Sequence, residues 1–394
     1  MPKIALIYLG RKGSGGPISL ALGQALAVRG AELSAYLSSG LESLPAWENA
    51  GFALTCVDTF HNPLQAAWTV LHGAPLRRLA AQVRAAQPDL LLFPMLHPWN
   101  ADLQRLLHPL PAVVMVHDPR PHPGLNGWLQ ACWEDRSLGC AARCLVLSAA
   151  LQPELLRRGV PPERIRVVPH GPLVYPLPQN IKGGAVLSTH PSAPIKDSAA
   201  QFDPSPPAGR GAEDSPSTLQ RLLFFGRIEP YKGLEVLLQA FEQLQPRWPG
   251  LTLTVAGEGD LRPYQAQIDR LGGRVEVISG WIPEPAVAGL FAQAGLLVLP
   301  YTSASQSGVL AIAAGFGLPV VATRTGGLAG QVRDGETGLL VEPGSAEALA
   351  SGIARLLTAP AWATGLGAAL RADFAGRQSW AAAVEAVLEL VPGV

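Results

Sequence analysis

The sequence is poor in cysteine. Its 394 residues include four cysteines, Cys56, Cys132, Cys140 and Cys144, which is too few for a disulfide scaffold. Cys140 and Cys144 could share one face of a helix, but no nearby histidine or second cysteine pair completes a zinc site. We therefore expect reduced thiols, no zinc bound by these cysteines and a cytoplasmic protein.

An excess of one charge is also missing. The 30 Lys and Arg residues balance 30 Asp and Glu residues, so no overall field attracts nucleic acid or anionic lipid. No apolar run reaches the roughly 20 residues needed to span a bilayer. The opening MPKIALIYLGRKGSGG lacks the apolar centre and cleavage site of a signal peptide. These features predict a soluble or peripheral protein without a nucleic-acid partner.

Short apolar runs alternate with helical patterns along most of the chain. The runs are continuous rather than alternating, which is typical of parallel strands buried on both faces. We predict an α/β fold with two Rossmann-like, doubly wound domains facing across a cleft. Strands are predicted at 3–9, 33–37, 90–93, 112–116, 144–147, 165–168, 221–225, 251–256, 275–278, 296–299, 319–322 and 338–341.

A change in composition divides the chain. Residues 176–220 are rich in Pro, Ser, Ala and Gly, with few large apolar residues, which predicts a flexible linker. The expected organisation is an N-terminal domain at 1–175, this linker, a second domain at 221–375, and a final amphipathic helix within 376–394. Periodicity alone does not say where that helix packs.

The segment GRIEPYKG, residues 226–233, follows a predicted strand and opens a helix. Arg227 lies at the carboxyl end of the strand, and Lys232 lies at the start of the helix. Two cations beside a helix N-terminus form an anion site suited to a diphosphate. The alternative is two solvated surface charges, but the flanking strand, glycine and helix favour the anion site.

Two further loops have small residues between a strand and a helix. In YTSASQSGV, residues 301–309, backbone N–H groups could bind phosphate, or serine and glycine could simply cap the next helix; both can hold. The loop GRKGSGGP, residues 10–17, lacks the Lys-Ser/Thr pair that ends a P-loop. It also does not fit the G-x-G-x-x-G spacing of dinucleotide-binding loops. It predicts a glycine turn at which backbone approaches a ligand.

Histidines follow several predicted strands. A single histidine is more often a structural hydrogen-bonding group than a catalyst, but the place of His117 at the end of a central strand favours a functional role. His97, His122 and His170 are further candidates. No Ser-His-Asp order, H-E-x-x-H helix or D-x-D metal motif is present in the sequence.

Together these motifs resemble glycosyltransferase family 4, whose members are retaining enzymes of the GT-B architecture. The resemblance covers nearly the whole chain except the linker. It depends on the order of the glycine loop, His117, VVPHG, FFGRIEPYKGLEVLLQAF, VAGEGD, SGWIP, SGVLAIAAGFGLPVVATRTGGL and VRDGETGLLVEPG.

The resemblance implies roles for individual residues. Arg227 and Lys232 would bind the diphosphate of a nucleotide-sugar donor and stabilise the leaving group without a metal, and His117 would contact the donor sugar. The last helix would cross back to the N-terminal domain, which takes the acceptor. Further implied donor contacts are Gly15, Gly16, Gly226, Trp281, Ile282, Gln306, Ser307, Gly308 and Val309.

One departure from the family affects the functional interpretation. The two glutamates that the family commonly has eight positions apart correspond to Ser305 and Ala313, although the QSG version resembles a branch of the family. The main hypothesis is transfer from an NDP-sugar to a hydroxyl of a glycan or lipid-linked glycan, with retention. The alternative is a degenerate nucleotide- or glycan-binding protein. A dinucleotide oxidoreductase is disfavoured because G-x-G-x-x-G is missing.

Contact with a membrane surface is an open alternative. Arg77, Arg78 and Arg84 flank a helical stretch that also contains Leu76 and Leu79. This pattern could form a peripheral patch on the inner face of a membrane for a lipid-linked acceptor, but a solvated helix face is favoured.

Overall fold

The structure is a computed structural model that describes residues 1–59, 73–117, 127–173, 175 and 218–391. The chain forms two compact units, one of Met1–Leu173 with Ala375–Val394 and one of Val174–Phe374. The predicted linker lies outside the described residues except for its end, Thr218–Gln220, which forms one turn of 3-10 helix.

The first unit is built on a seven-stranded sheet. Its order is β3-β2-β1-β4-β5-β6-β7, and all pairs are parallel. Every residue of β4, β5 and β6 is buried, as the continuous apolar runs predict. The strands are β1 Lys3–Tyr8, β2 Glu32–Ser38, β3 Ala53–Val57, β4 Leu90–Phe93, β5 Ala112–Val116, β6 Arg143–Val146 and β7 Ile165–Val167.

Helices connect these strands and cover the sheet. The apolar side of helix Ala74–Ala85 packs into the core through Leu76, Leu79, Ala80 and Val83. Only the exposed arginine side of this helix therefore remains for a membrane surface. The helices among the described residues of this unit are Gly15–Val28, Leu44–Asn49, Ala74–Ala85, Asn100–Leu106, Gly127–Cys140, Gln152–Arg157 and Ala381–Leu388.

The second unit repeats the same topology with six strands. Its order is β10-β9-β8-β11-β12-β13, again parallel throughout. In both units the chain returns past its first strand to continue the sheet on the other side, which is the doubly wound arrangement. The strands are β8 Arg221–Phe225, β9 Thr252–Gly257, β10 Val275–Ser279, β11 Leu296–Leu299, β12 Val320–Thr323 and β13 Leu339–Val341.

The core of the second unit lies between this sheet and its helices. Leu234–Leu244 and Ala346–Thr358 pack together and bury their leucines against the strands. The helices are Leu234–Leu244, Gln265–Leu271, Glu284–Gln293, Gly308–Phe316, Leu328–Gln331, Ala346–Thr358 and Pro360–Ala375. Over the described part of the chain, no helix combines the length and apolar character needed to cross a membrane.

The sequence predictions missed one strand in the first sheet. Ala53–Val57 is an edge strand with one buried residue, so it lacks the continuous apolar run of the central strands. The predicted strands at 90–93, 112–116, 221–225 and 296–299 match the structure residue for residue. The other predicted strand ends lie within a residue or two of the observed ones.

The C-terminal helix, Ala381–Leu388, packs on Gly15–Val28 within the first unit. Arg143 at the start of β6 donates to the carbonyl of Ala386 and to the Glu389 carboxylate, the latter at 2.7 Å. The Arg143 side chain is nearly buried, whereas that of Glu389 is exposed. These contacts fix the end of the chain against the sheet of the first unit.

Trp380, just before this helix, closes over the segment that follows β7. Its indole N–H donates to the Pro172 carbonyl at 3.2 Å, and its ring lies 5.4 Å from that of His170. A Cβ placed on Gly171 would lie 2.4 Å from three atoms of the indole. The close approach of the backbone to the ring therefore requires glycine at position 171.

We predict that Gly171→Ala lowers the free energy of unfolding by about 1–3 kcal/mol, because the buried indole must move to admit the methyl group. The urea midpoint followed by tryptophan fluorescence measures this loss. Gly139→Ala in helix Gly127–Cys140 is the matched control, since a Cβ there meets nothing within 4 Å. Equal midpoints for the two variants would contradict the packing argument.

Candidate active site

Most of the predicted site residues lie on loops at the carboxyl edge of the second sheet. The segment after β8 runs beside the segment after β9, because Ile228 donates to the Glu258 carbonyl at 2.7 Å. A Cβ on Gly257 would lie 1.9 Å from the Gly226 carbonyl oxygen. The glycine pair thus allows the two backbones to meet at the edge where a parallel sheet binds its ligands.

Three predicted residues converge at this edge. A Cβ on Gly226 would lie 3.6 Å from the Lys232 Nζ atom and 3.7 Å from a methyl group of Val309. The ammonium of Lys232 therefore lies beside the first turn of helix Gly308–Phe316. Arg227, one residue after Gly226, is exposed. A cation at a helix N-terminus is an arrangement that favours a bound anion.

The loop of Lys232 is joined to the loop that follows β11. Gly233 adopts φ +71°, and a Cβ there would lie 1.9 Å from the Pro300 carbonyl oxygen. The Tyr231 carbonyl accepts from the backbone N–H of Thr302 at 2.8 Å and from its hydroxyl at 3.2 Å. These contacts hold the two predicted phosphate loops together at fixed separation.

The Lys232 side chain lies against two tyrosines. Its Nζ donates to the Tyr301 hydroxyl at 2.7 Å and lies 4.2 Å from the centre of that ring. The Tyr231 ring is 5.7 Å away. Tyr301 is 2% exposed, whereas Tyr231 is 43% exposed. Sequence reasoning assigned neither tyrosine a role, because their proximity to Lys232 depends on how two distant loops pack.

The helix that begins at Gly308 is capped by Ser307, whose hydroxyl accepts from the Leu310 N–H at 3.4 Å. The Ser307 N–H donates to the side chain of Gln331 at 2.8 Å. This amide is thus engaged within the protein, and the predicted contact of Ser307 with the donor stays a prediction. The amides of Gly308 and Val309 remain the first-turn donors, which have no acceptor within the helix.

The positions of the two missing glutamates lie in this helix and in the loop before it. Ala313 is fully buried in the helix, and Ser305 is partly buried in the loop. Beside it, the side-chain oxygen of Gln306 is buried and accepts no hydrogen bond from any residue that the structure describes. A Cβ on Gly327 would lie 1.8 Å from the Ser305 carbonyl oxygen. Glycine at position 327 therefore allows the loop after β12 to contact the loop of Ser305.

Trp281 and Ile282 follow β10 on the neighbouring loop. Gly280 donates to the Gly257 carbonyl at 3.1 Å, which brings this loop next to the β8 and β9 loops. Trp281 is 41% exposed and Ile282 is 9% exposed. Their predicted contact with the nucleotide base stays a prediction, but both residues lie at the same sheet edge as Gly226.

Gly15 and Gly16 lie in the first unit as the first two residues of helix Gly15–Val28. A Cβ on Gly15 would lie 2.5 Å from the Tyr8 hydroxyl, and one on Gly16 would lie 2.2 Å from the Ser43 hydroxyl. Both glycines are buried. Packing within the unit is therefore sufficient to require glycine at both positions, and their predicted approach to phosphate stays a prediction.

His117 directly follows β5 in the first unit. Its Nε2 lies 3.0 Å from the Pro94 carbonyl, which can only accept, so Nε2 carries the proton. Burial, with a smaller contribution from the neighbouring His170, lowers the pKa of His117 to about 4. The imidazole is thus neutral near pH 7, and its Nδ1 carries a lone pair.

His170 lies next to His117 with ring centres 6.5 Å apart. It is 1% exposed, and burial lowers its pKa to about 4. Its Nδ1 donates to the Gly171 carbonyl at 2.8 Å. Its Nε2 is buried and has no hydrogen-bond partner among the described residues. His122, another histidine proposed from the sequence, lies outside the described residues.

Among the residues that the structure describes, no group of three or more His, Cys, Asp or Glu side chains is arranged to hold a metal ion. Positive groups at the edge of the second sheet include Arg227, Lys232 and the start of helix Gly308–Phe316. These groups could neutralise a diphosphate directly.

Comparison with protein families gives two matches. Residues 19–171 match the model described as Glycosyltransferase Family 4, and residues 220–359 match Glycosyl transferases group 1. The chain belongs to glycosyltransferase family 4. The two matches together include most of the described residues of both units, and the second contains Arg227, Lys232 and the Gly308 helix.

Curated relatives of this family 4 chain carry the name D-inositol 3-phosphate glycosyltransferase. The protein from Segniliparus rotundus is 31% identical over 261 residues, which are 61% of this chain and 58% of the relative. The protein from an Arthrobacter species is 36% identical over 184 residues, 45% of this chain and 44% of the relative. The matches therefore span about half the length of these relatives.

Solved structures share the fold over the whole chain. Anabaena HepE in complex with UDP and glucose is 18% identical and has a TM-score of 0.66, with 100% of both chains covered. Sucrose-phosphate synthase from Thermosynechococcus elongatus is 22% identical with a TM-score of 0.64, covering 99% and 98% of the two chains. The prediction of two Rossmann-like α/β domains of the GT-B class is confirmed.

The buried neutral histidines predict a pH-dependent stability. The unfolded chain protonates histidine below about pH 6.5, whereas folded His117 and His170 stay neutral to about pH 4. Between these values the unfolded state binds more protons, so the free energy of unfolding falls as the pH falls. For His170→Asn we expect a slope shallower by up to about 1.4 kcal/mol per pH unit.

Urea unfolding at pH 7, 6 and 5 measures this slope. His108→Asn is the control, because His108 is exposed and meets solvent in both states. A stability of the unsubstituted chain that does not change between pH 7 and pH 5 would contradict the neutral burial of these rings.

Proposed function

We propose that the chain transfers a glycosyl group from a nucleotide-diphosphate sugar to an acceptor hydroxyl, with retention of configuration. Membership of glycosyltransferase family 4 supports the reaction class. The observation that carries the proposal is the meeting of Gly226, Lys232 and the start of helix Gly308–Phe316 at the carboxyl edge of the second sheet. This arrangement suits the diphosphate end of such a donor.

The reaction places growing negative charge on the departing diphosphate and positive character on the sugar ring. Arg227, Lys232 and the amides of Gly308 and Val309 would stabilise that leaving group, and Lys232 and the amides are held in place before the charge develops. The sequence offers no carboxylate in an obvious position for a nucleophile. Retention would then follow from attack on the same face of the sugar as the leaving phosphate, assisted by that phosphate.

His117 would bind the donor sugar rather than transfer a proton. Its neutral ring has Nδ1 as an acceptor, which suits a hydroxyl group of the sugar. A low pKa, near 4, makes the imidazolium a minor species near pH 7. His117 therefore fits the role of a fixed acceptor that orients the donor.

UDP is the first nucleotide to test, since Anabaena HepE was crystallised with UDP and with UDP-glucose. For the acceptor, two classes follow from different observations. The family resemblance favours a hydroxyl of a glycan or lipid-linked glycan. The name of the curated relatives favours an inositol phosphate. Transfer assays with both acceptor classes distinguish them.

We predict that Arg227→Ala and Lys232→Ala each weaken nucleoside-diphosphate binding by about 10- to 100-fold, as expected for the loss of a hydrogen bond to a charged group. Calorimetry with UDP, GDP and ADP, each also as its sugar conjugate, identifies the tightest ligand and then measures both variants. Arg270→Ala is the matched control, because Arg270 is exposed in helix Gln265–Leu271.

Unchanged affinity in both site variants would show that the site assignment is wrong. Nucleotide binding without detectable transfer or donor hydrolysis would instead support the binding-protein alternative that Ser305 and Ala313 raise. The two results are separable because binding and turnover are measured independently.

We also expect turnover without a divalent metal, because Arg227 and Lys232 would supply the positive charge. Donor hydrolysis, followed as UDP release from UDP-glucose, should keep its rate within about twofold after dialysis against EDTA, a change of less than about 0.5 kcal/mol in the barrier. The control adds Mg²⁺ back to the dialysed protein. Loss of the reaction on dialysis and its recovery with Mg²⁺ would refute metal independence.

A further inference from the structure

We infer that Tyr301 is the positioning residue for Lys232, and that it fixes the ammonium where the donor diphosphate is to bind. The inference rests on the proposed function only for the identity of that ligand. The contact itself is present without one: Nζ lies 2.7 Å from the phenol oxygen and 4.2 Å from the ring centre. Tyr301 thus offers both a hydrogen-bond acceptor and an aromatic face to the same cation.

A lysine needs such a partner at a site that must be organised in advance. Its four-carbon side chain has many rotamers, and its compact ammonium does not fix its own direction. A lysine free in solvent would have to be ordered by each incoming ligand. Contact with Tyr301 orders the side chain beforehand, which leaves more of the ionic attraction for the ligand.

Tyr301 is itself held rigidly. It follows the last residues of β11, is 2% exposed, and its backbone carbonyl accepts from the buried hydroxyl of Thr323 on β12. The Tyr231 ring meets it edge-on with centres 6.3 Å apart. Because Tyr301 is fixed by its own strand, by β12 and by the Tyr231 ring, it can hold the ammonium of Lys232 in one position.

The geometry also explains why the two loops are tied so closely. Gly233 brings the Lys232 loop against the Pro300 carbonyl, and the Tyr231 carbonyl accepts twice from Thr302. These backbone contacts lie on either side of the Lys232–Tyr301 pair. They set the distance between the loops at the value that the side-chain contact requires.

Tyr301→Phe tests the role of the hydroxyl, because it keeps the ring and removes the acceptor. We expect UDP affinity to fall about 5- to 10-fold, less than on loss of the ammonium itself because the contact of Lys232 with the ring remains, and UMP affinity to stay within about twofold. Tyr264→Phe is the matched control in the same unit, where Tyr264 packs on the core. Unchanged UDP affinity in Tyr301→Phe, with loss in Lys232→Ala, would overturn the inference and leave the proposed function intact.

A double-mutant cycle shows whether Tyr301 acts through Lys232. In the Lys232→Ala background, Tyr301→Phe should cost UDP affinity less than about 1.5-fold, since the partner of the hydroxyl is already gone. A cost equal to that in the unsubstituted protein would mean that the phenol contacts the ligand directly, and would overturn the positioning role.

A spectroscopic measurement tests the contact without any nucleotide. The sequence contains five lysines, Lys3, Lys12, Lys182, Lys196 and Lys232, so ammonium signals of ¹⁵N-lysine-labelled protein can be assigned with Lys232→Arg. We expect the Lys232 signal to be shifted by the ring and protected from exchange. Protection should be lost in Tyr301→Phe, and the ring shift should also be lost in Tyr301→Leu.

An identical Lys232 signal in all three proteins would overturn the inference whether or not UDP binds. If the signals change as expected while neither the unsubstituted protein nor its variants bind UDP, the positioning contact stands and the proposed ligand is wrong. The two hypotheses therefore fail in distinguishable ways.

Discussion

Parallel pairing of the strands is the constraint on which both units depend. A parallel pair cannot be closed by a tight hairpin, so each connection crosses over a face of the sheet, here mostly as a helix. The faces are thereby covered, and the strands between them become continuous apolar runs. All strands then end at the same edge, and polar chemistry is confined to the loops there. Arg227, Lys232 and the start of helix Gly308–Phe316 all lie at that edge in the second unit.

Within those loops, close backbone approach replaces large side chains as the organising device. Gly233 meets the Pro300 carbonyl, Gly257 meets that of Gly226, and Gly327 meets that of Ser305. Each contact would be broken by a single methyl group. The loops therefore support one another laterally, in addition to the buried side chains of Ile228 and Tyr301.

The sequence was sufficient to predict the fold class, because the two sheets consist largely of buried strands with unambiguous apolar runs. Ala53–Val57 escaped prediction because an edge strand with a single buried residue carries little of that signal. Arg227 and Lys232 could be located from the order of the elements along the chain, since Arg227 follows β8 and Lys232 precedes helix Leu234–Leu244. The contact of Lys232 with Tyr301 and the engagement of the Ser307 amide by Gln331 could not be predicted. They join residues 69 and 24 positions apart, and no local pattern encodes them.

The packing of Ala381–Leu388 in the first unit has a consequence for how the chain folds as it is synthesised. The first unit consists of Met1–Leu173 and Ala375–Val394, so the whole of the second unit is made between its two parts. Until residues 375–391 leave the ribosome, the surface of helix Gly15–Val28 and the segment around Gly171 lack their covering helix and Trp380. The second unit, by contrast, is continuous in sequence and can complete its core first. Vectorial synthesis thus favours folding of the later unit before the earlier one is closed, the reverse of the usual N-terminal-first order.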